Sequence, residues 1–369
     1  MKKVLIYLTA LTMLTACGSD IEYTEPDNKT NEIQFSVASI DAPAAGMAKA
    51  VSRAEHGHEA WSDAKHANTL GVFGYGDLSK VIFNNQKVTR SGSEWVYAPP
   101  KYWPEFNTSK SFDFFGYMVE NASTMPEASV TNDGNEYTLT FAASIKKPVL
   151  TSPNNTPLIC HAPYHTTVVG MPIPFQMDQT LTGYTVYFQL GEKMNKIRDF
   201  VIKGVKIYGN NLPVGGDVSR TYTLTDGVWT AGNVIWKNLT TASITKDAAI
   251  ALAESWPNDA NKDYRTINNT TEWMKWGGEE NFSDGAFYAI PASSFVPTIE
   301  VTYDVYSEGG TLTRKDVKST IVLNKSNFAD LAVGTTGEIQ KIKIKIVPDY
   351  LYVLSDDDQT TTGFLIVGE

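Results

Sequence analysis

From Lys341 to Ile346 the chain reads Lys-Ile-Lys-Ile-Lys-Ile, and only an extended strand sends every second side chain to one side. Ile342, Ile344 and Ile346 then share an inward face, and Lys341, Lys343 and Lys345 an outward one. The same period recurs along the chain. "EIQFSVAS" aligns Ile33, Phe35 and Val37, and "YTVYFQL" aligns Val186, Phe188 and Leu190. "TIEVTYDVY" sets Ile299, Val301, Tyr303 and Val305 against Glu300, Thr302 and Asp304. Each reads as a half-buried strand. "VFGY", "SFDFFGYM", "EYTLTF", "DFVIKGVKIYG" and "STIVL" are further strands, and Asp133-Gly134, Asp226-Gly227 and Gly309-Gly310 are turns. Helix is expected over Thr245–Ser255, with Thr245 as its cap, and a short turn in "SNFADLA". This density of short strands predicts an all-β chain of two β-sandwich domains with few short helices.

The first residues do not belong to that pattern. Lys2 and Lys3 precede an apolar run from Val4 to Leu14, too short to span a bilayer, and small residues lead to Cys17. Leu14-Thr15-Ala16-Cys17 resembles the lipobox of bacterial lipoproteins, in which a cysteine thiol takes a diacylglycerol and becomes the first mature residue. Residues 1–16 are therefore expected to be a lipoprotein signal peptide and Cys17 the lipidation site. Residues 17–31 carry four acids (Asp20, Glu22, Glu25 and Asp27) before the first strand, with Lys29 the one base, and read as an acidic tether.

Charge and cysteine usage narrow the function. Thirty-one basic against 41 acidic residues give −10, and losing Lys2 and Lys3 makes the chain more negative still. Such a surface repels phosphate backbones, so nucleic acid is not an expected partner. Without Cys17 only Cys160 remains, so no internal disulfide forms and burial must supply the stability. Pro172, Pro174 and Gly183 punctuate the middle of the chain. A boundary near residues 175–184 gives an N-terminal domain of 32–178 and a C-terminal domain of 179–369.

The segment "FNNQKVTRSGSEWVYAPPKYWPEFNTSKSFDFFGYM" resembles the fimbrillin family of Bacteroidota, lipoprotein subunits of type V pili. The likeness lies in the order Phe83, Trp95-x-Tyr97, Pro100-x-Tyr102-Trp103-Pro104 and Phe112-x-Phe114-Phe115-x-Tyr117. "GAFYAIPASSF", "IEVTYDVY" and "TTGEIQKIKIKI" extend it through the second half. The resemblance implies transthyretin-like sandwiches, an outer-membrane lipoprotein stage, and a place in cell-surface fimbriae that serve adhesion. It also implies that a protease cuts after an arginine beyond the first strand, and that a strand from a neighbouring subunit fills the vacated groove. In this chain that arginine would be Arg53, within the Ala- and Gly-rich segment 41–68; the other reading is an uncut surface arginine. Arg90 lies too deep in the domain to release one strand. The donor would be the tail at about residues 360–369, with Phe364, Leu365, Ile366 and Val367 as its apolar core; the other reading is the last strand of the C-terminal domain. The partners are then other fimbrial subunits, the outer membrane through lipid, and host or bacterial surface ligands.

Chemistry-bearing residues are few. His56, His58 and His66 fall in the same small-residue segment, and His161 and His165 form a second pair; neither is expected to bind metal. Asp356-Asp357-Asp358 lacks the alternating ligands of a calcium loop and reads as a solvated hinge. Cys160, in "PLICHAP", reads as a buried, inert thiol. Trp95 and Trp103 alternate with tyrosines and read as packing, whereas Trp273 and Trp276 in "TTEWMKWGGEENF" are candidate contacts for a ligand or a neighbouring subunit. No nucleophile elbow, phosphate loop or zinc-protease motif occurs, so neither an enzyme nor a cofactor is expected. The alternative to a fimbrial subunit is a permanently lipid-anchored protein that binds glycans or host ligands.

Overall fold

The computed structural model describes residues 31–41, 69–106, 108–119, 125–151, 159–191, 198–252, 266–267, 271–277, 287–307, 309–329, 340–348 and 364–368. In the first half the strands are β1 (Phe35–Asp41), β2 (Thr69–Gly76), β3 (Lys80–Ser91), β4 (Glu94–Val96), β5 (Phe112–Val119), β6 (Ala128–Asp133), β7 (Glu136–Ser144), β8 (Ile159–Thr166) and β9 (Ile173–Gln179). There follow β10 (Thr182–Leu190), β11 (Arg198–Thr225), β12 (Val228–Ile244), β13 (Ile250–Ala251), β14 (Thr266–Ile267), β15 (Met274–Lys275) and β16 (Phe287–Ala289). The last four are β17 (Thr298–Ser307), β18 (Leu312–Val322), β19 (Gln340–Pro348) and β20 (Phe364–Gly368). The protein is an all-β sandwich, and among the described residues its one helical element is the 3-10 turn Trp103–Phe106.

One sheet runs β1-β9-β8-β5-β2-β3-β4, a second β15-β10-β19-β20 with β16 also on β10, and a third β18-β17-β11-β7-β6. Two pairings are parallel, β1 with β9 and β10 with β19; the rest are antiparallel. The alternation read from the sequence points inward as expected: Val186, Phe188, Leu190, Ile342, Ile344 and Ile346 meet Ile299, Val301, Tyr303 and Val305 in one core. Asp226 and Gly227 both have positive φ (51° and 76°) and join β11 to β12 as a tight hairpin.

In the first half the sheet around β2 and β5 is buried on both faces. Leu70, Val72, Phe112 and Phe114 face a core shared with Ile33, Phe35 and Phe175. Phe73, Phe115 and Tyr117 face another, shared with Tyr137, Phe141, Val218, Tyr222 and Trp236. Large rings on adjacent strands fit because glycines lie beneath them. A Cβ at Gly74 would stand 2.9 Å from both Phe114 and Phe83.

The helix expected from Thr245 is overturned over the residues described there. Residues 245–252 do not form a helix: the Thr245 hydroxyl receives a bond from the Ala248 amide in a single turn, and the chain then extends into β13. Ile250 pairs with Ile207 on β11, and Leu252 enters the core. Burial of two apolar residues against an existing sheet outweighs the weak helix preference of an Ala-rich run. Hydrogen bonding also crosses residues 175–184. β11 pairs through 215–223 with β7, and Arg220 meets Asp178 at 2.6 Å.

Among the buried polar groups, His161 sits wholly inside, its Nδ1 against the Tyr222 hydroxyl. Burial, assisted by nearby Arg220, holds its pKa well below the usual value, so the ring is neutral in the folded protein. The unfolded chain takes up a proton there below about pH 6.5 and the folded one does not, so stability is lost as pH falls. Between pH 7 and pH 5 the loss from this group is expected to be roughly 2 kcal/mol, read by urea unfolding against His161→Gln. Equal pH dependence in the two proteins would contradict it.

Candidate functional site

β1 is the edge strand of its sheet. Its ladder to β9 matches Phe35 with Ile173 and Asp41 with Asp178, with an irregularity between Val37 and Ser39. The residues just before it are bound on another side. Ile33 N–H donates to Lys101 O at 2.8 Å, Trp103 N–H donates to Asn31 O at 2.7 Å, and the Tyr97 hydroxyl donates to Ile33 O at 2.7 Å. Glu32 and Tyr102 form an isolated antiparallel bridge. The aromatic segment around residues 95–103 thus forms one wall of a slot whose other wall is β9.

Side chains fill the floor of that slot. Ile33 is fully buried and Phe35 nearly so. The Phe35 ring lies 5.3 Å from Phe83, 5.6 Å from Tyr97 and 6.2 Å from Phe114 by centroid, and stacks on Phe175 at 6.0 Å. Four rings converge on one side chain of a strand held at a sheet edge. Removing β1 would uncover these rings and leave β9 paired with β8 only at Gln179 and Asp178. The slot can therefore accept one extended segment with an apolar residue at every second position.

Of the residues singled out from sequence, Cys17, Arg53 and Asp356–Asp358 lie outside the described residues, as do His56, His58 and His66. The tail is strand β20, antiparallel to β19 with Ile346 opposite Ile366, and it ends its sheet. Trp276 requires a correction. It is 1% exposed, donates from Nε1 to Leu252 O at 3.4 Å, and belongs to the core of the second half, so it cannot meet a ligand. Trp276 directly follows β15, and its backbone N–H bonds Val186 O at 2.8 Å, which holds the residue against β10 and its ring in the core. Trp273 is half-buried, with Lys343 Nζ 5.3 Å and Lys345 Nζ 6.0 Å from its ring centre.

The two described histidines do not converge. His161 faces Tyr222, whereas His165 Nδ1 lies 2.7 Å from the buried carboxylate of Asp113. Burial raises the Asp113 pKa, and the hydrogen bond from His165 opposes that rise. Among the described residues no group of three His, Cys, Asp or Glu side chains is arranged to hold a metal ion. Cys160 is a buried free thiol whose pKa burial pushes up, which leaves it unreactive. No helix among the described residues is long and apolar enough to cross a membrane.

No family model matches this sequence, and neither does any curated protein. In structure the chain is similar to fimbrial proteins of Bacteroides and Parabacteroides. One is a fimbrial protein from Bacteroides vulgatus, at TM-score 0.40 and 13% identity over 82% of this chain and 91% of that one. Another is a fimbrial assembly protein from Parabacteroides distasonis, at TM-score 0.35 and 9% identity over 86% and 91%. The slot residues Phe83, Tyr97 and Phe114 were visible in the sequence as an aromatic series; that they gather around Phe35 was not. Parallel pairing of β1 with β9 depends on contacts more than a hundred residues apart, which no local pattern encodes.

Proposed function

We propose that this chain is a structural and adhesive subunit of cell-surface fimbriae, exported as an outer-membrane lipoprotein through Cys17 and assembled by strand exchange. The observation that carries this reading is the seat of β1: an edge strand buried by Ile33 and Phe35, held between β9 and residues 97–103. A strand seated in this way can be replaced by another of the same period. Cleavage after Arg53 would sever β1 from β2 and leave only non-covalent contacts to hold it. The incoming strand would be residues 364–368 of a neighbouring subunit, whose Phe-Leu-Ile-Val run supplies apolar side chains at alternate positions. As an edge strand, β20 can leave β19 without breaking a ladder on its other side. The two-domain division at residues 178 and 179 belongs to the same reading, with the slot in the first domain and the donor at the end of the second.

Deleting residues 360–369 is expected to leave a folded monomer that no longer assembles after trypsin-like digestion. Intact protein treated in the same way is expected to give heat-labile ladders on gels. A truncated protein that still forms ladders would reject the tail as donor.

A further inference from the structure

The parallel pairing of β1 with β9 fixes where two segments enter the fold. Strands that run the same way begin at the same end of their sheet, so the residues before Phe35 and those before Ile173 lie together. Ile173 N–H donates to Gln34 O at 2.9 Å and ties the two segments there. The segment before Phe35 leads back through Asn31 to Cys17. The segment before Ile173 is the turn from β8.

That turn holds apolar side chains out in water. The Thr166 hydroxyl accepts from Val168 N–H and donates to Val168 O, both at 3.0 Å, and Gly170 bends the chain at a φ of +84°. Val168 is left 59% exposed and Val169 52%, and Met171 beside them is exposed as well. No charged residue occurs from Thr166 to Gln176, in a chain of which 20% is charged. Two neighbours extend the apolar end. Exposed Tyr102 bridges Glu32 where the chain enters, and the β11–β12 hairpin brings exposed Val228 close, since a Cβ at Gly227 would stand 3.7 Å from the His165 ring. Single apolar residues on a surface need no explanation, but a group of them at one end does.

We infer that this end of the sheet, led by Val168 and Val169, rests on a lipid bilayer while the chain is anchored through Cys17. The inference rests on lipidation of Cys17 and not on strand exchange. Residues 17–30 span at most roughly 50 Å, so an acyl group on Cys17 keeps the end at which Asn31 enters close to the bilayer. Two valines and a methionine are too little to hold a free protein on a membrane. Once the anchor supplies attachment the contact becomes intramolecular, and a small gain is enough to populate it. An uncharged tip also enters the headgroup boundary without stripping water from a charge. A second copy of the chain fits less well, because two tips of this size bury far less than the roughly 1,200 Å² of a stable interface.

The test couples residues 17–369 through the Cys17 thiol to a maleimide lipid in phosphatidylcholine vesicles that also carry a phosphatidylcholine with a diazirine in its acyl chain. Buried Cys160 does not compete for the maleimide. Chemical coupling makes the result independent of whether cells acylate Cys17, which the mass of the native protein decides separately. After irradiation, lipid adducts are expected at residues 168–171 and at Val228. They are not expected at Val296 or Leu312, which are also exposed but belong to the second half. Val168→Asp/Val169→Asp is expected to lower adduct formation at Val228 about fivefold or more, with an unchanged melting temperature, and Leu312→Asp to leave it as in the parent. Adducts spread evenly over the exposed residues of both halves, or undiminished at Val228 in the double variant, would overturn the assignment. So would dimers of the uncoupled chain that the double variant abolishes, since the tip would then belong to a second copy.

Discussion

Trp276→Ala is expected to lower the free energy of unfolding by about 3–5 kcal/mol, among the largest losses a single core substitution produces. The ring is 1% exposed and lies in a core with Val186, Phe188, Phe200 and Ile344, so truncation leaves a cavity walled by two sheets that cannot both collapse into it. The Trp276 indole N–H also caps the Leu252 carbonyl, which would lose its donor. Its backbone N–H bonds Val186 O at 2.8 Å and would survive, so β15 should remain in register. Trp273→Ala, three residues away, should cost about 1 kcal/mol or less, since that ring is half-exposed and its partners are lysine ammoniums. Urea unfolding of the two variants separates packing from surface. Equal losses would mean that Trp276 is not a core residue.

That contrast marks where the sequence is legible. Periodicity alone identified the inward faces of β10, β17 and β19, because a period of two leaves little choice once a strand is half-buried. It misread Trp276 as an exposed contact, because the neighbouring residues are polar and a strand of two residues carries almost no pattern. It misread residues 245–252 for the opposite reason. Ala and Ile suit a helix locally, and only the free edge of β11 decides for a strand. The slot for β1 was half legible. Its aromatic residues could be named from the sequence, but their convergence on Phe35 arises from β9, which arrives from more than a hundred residues away. The lysines of β19 were seen as an outward face. That Lys341 lies over Tyr187 and Lys343 over Trp273 was not legible, because those rings come from other segments of the chain.

Phe35→Ala is expected to lower stability by about 3–5 kcal/mol in the uncut protein, and to act far more strongly once the chain is cut. In the uncut protein β1 is tethered, so losing the ring weakens packing while the strand stays close at hand. A cut at Lys49, Arg53 or Lys65 leaves β1 held only by its ladder to β9, the bonds to residues 97–103, and buried Ile33 and Phe35. The ring's contribution then becomes a binding energy, and a loss of 3 kcal/mol is more than a hundredfold in the equilibrium constant for retention. Trypsin-cut Phe35→Ala should therefore shed the strand on size-exclusion chromatography, with the fragment identified by mass, under conditions where the cut parent keeps it. Gln34→Ala is the control: its side chain is exposed, and the bond from Ile173 N–H goes to its backbone carbonyl, which the substitution spares. If strand exchange is the route of assembly, the vacated slot should also fill faster, and cut Phe35→Ala should form ladders sooner than the cut parent. Equal retention of β1 by Phe35→Ala and the parent would show that burial of this ring is not what seats the strand, and the exchange reading would lose its driving force.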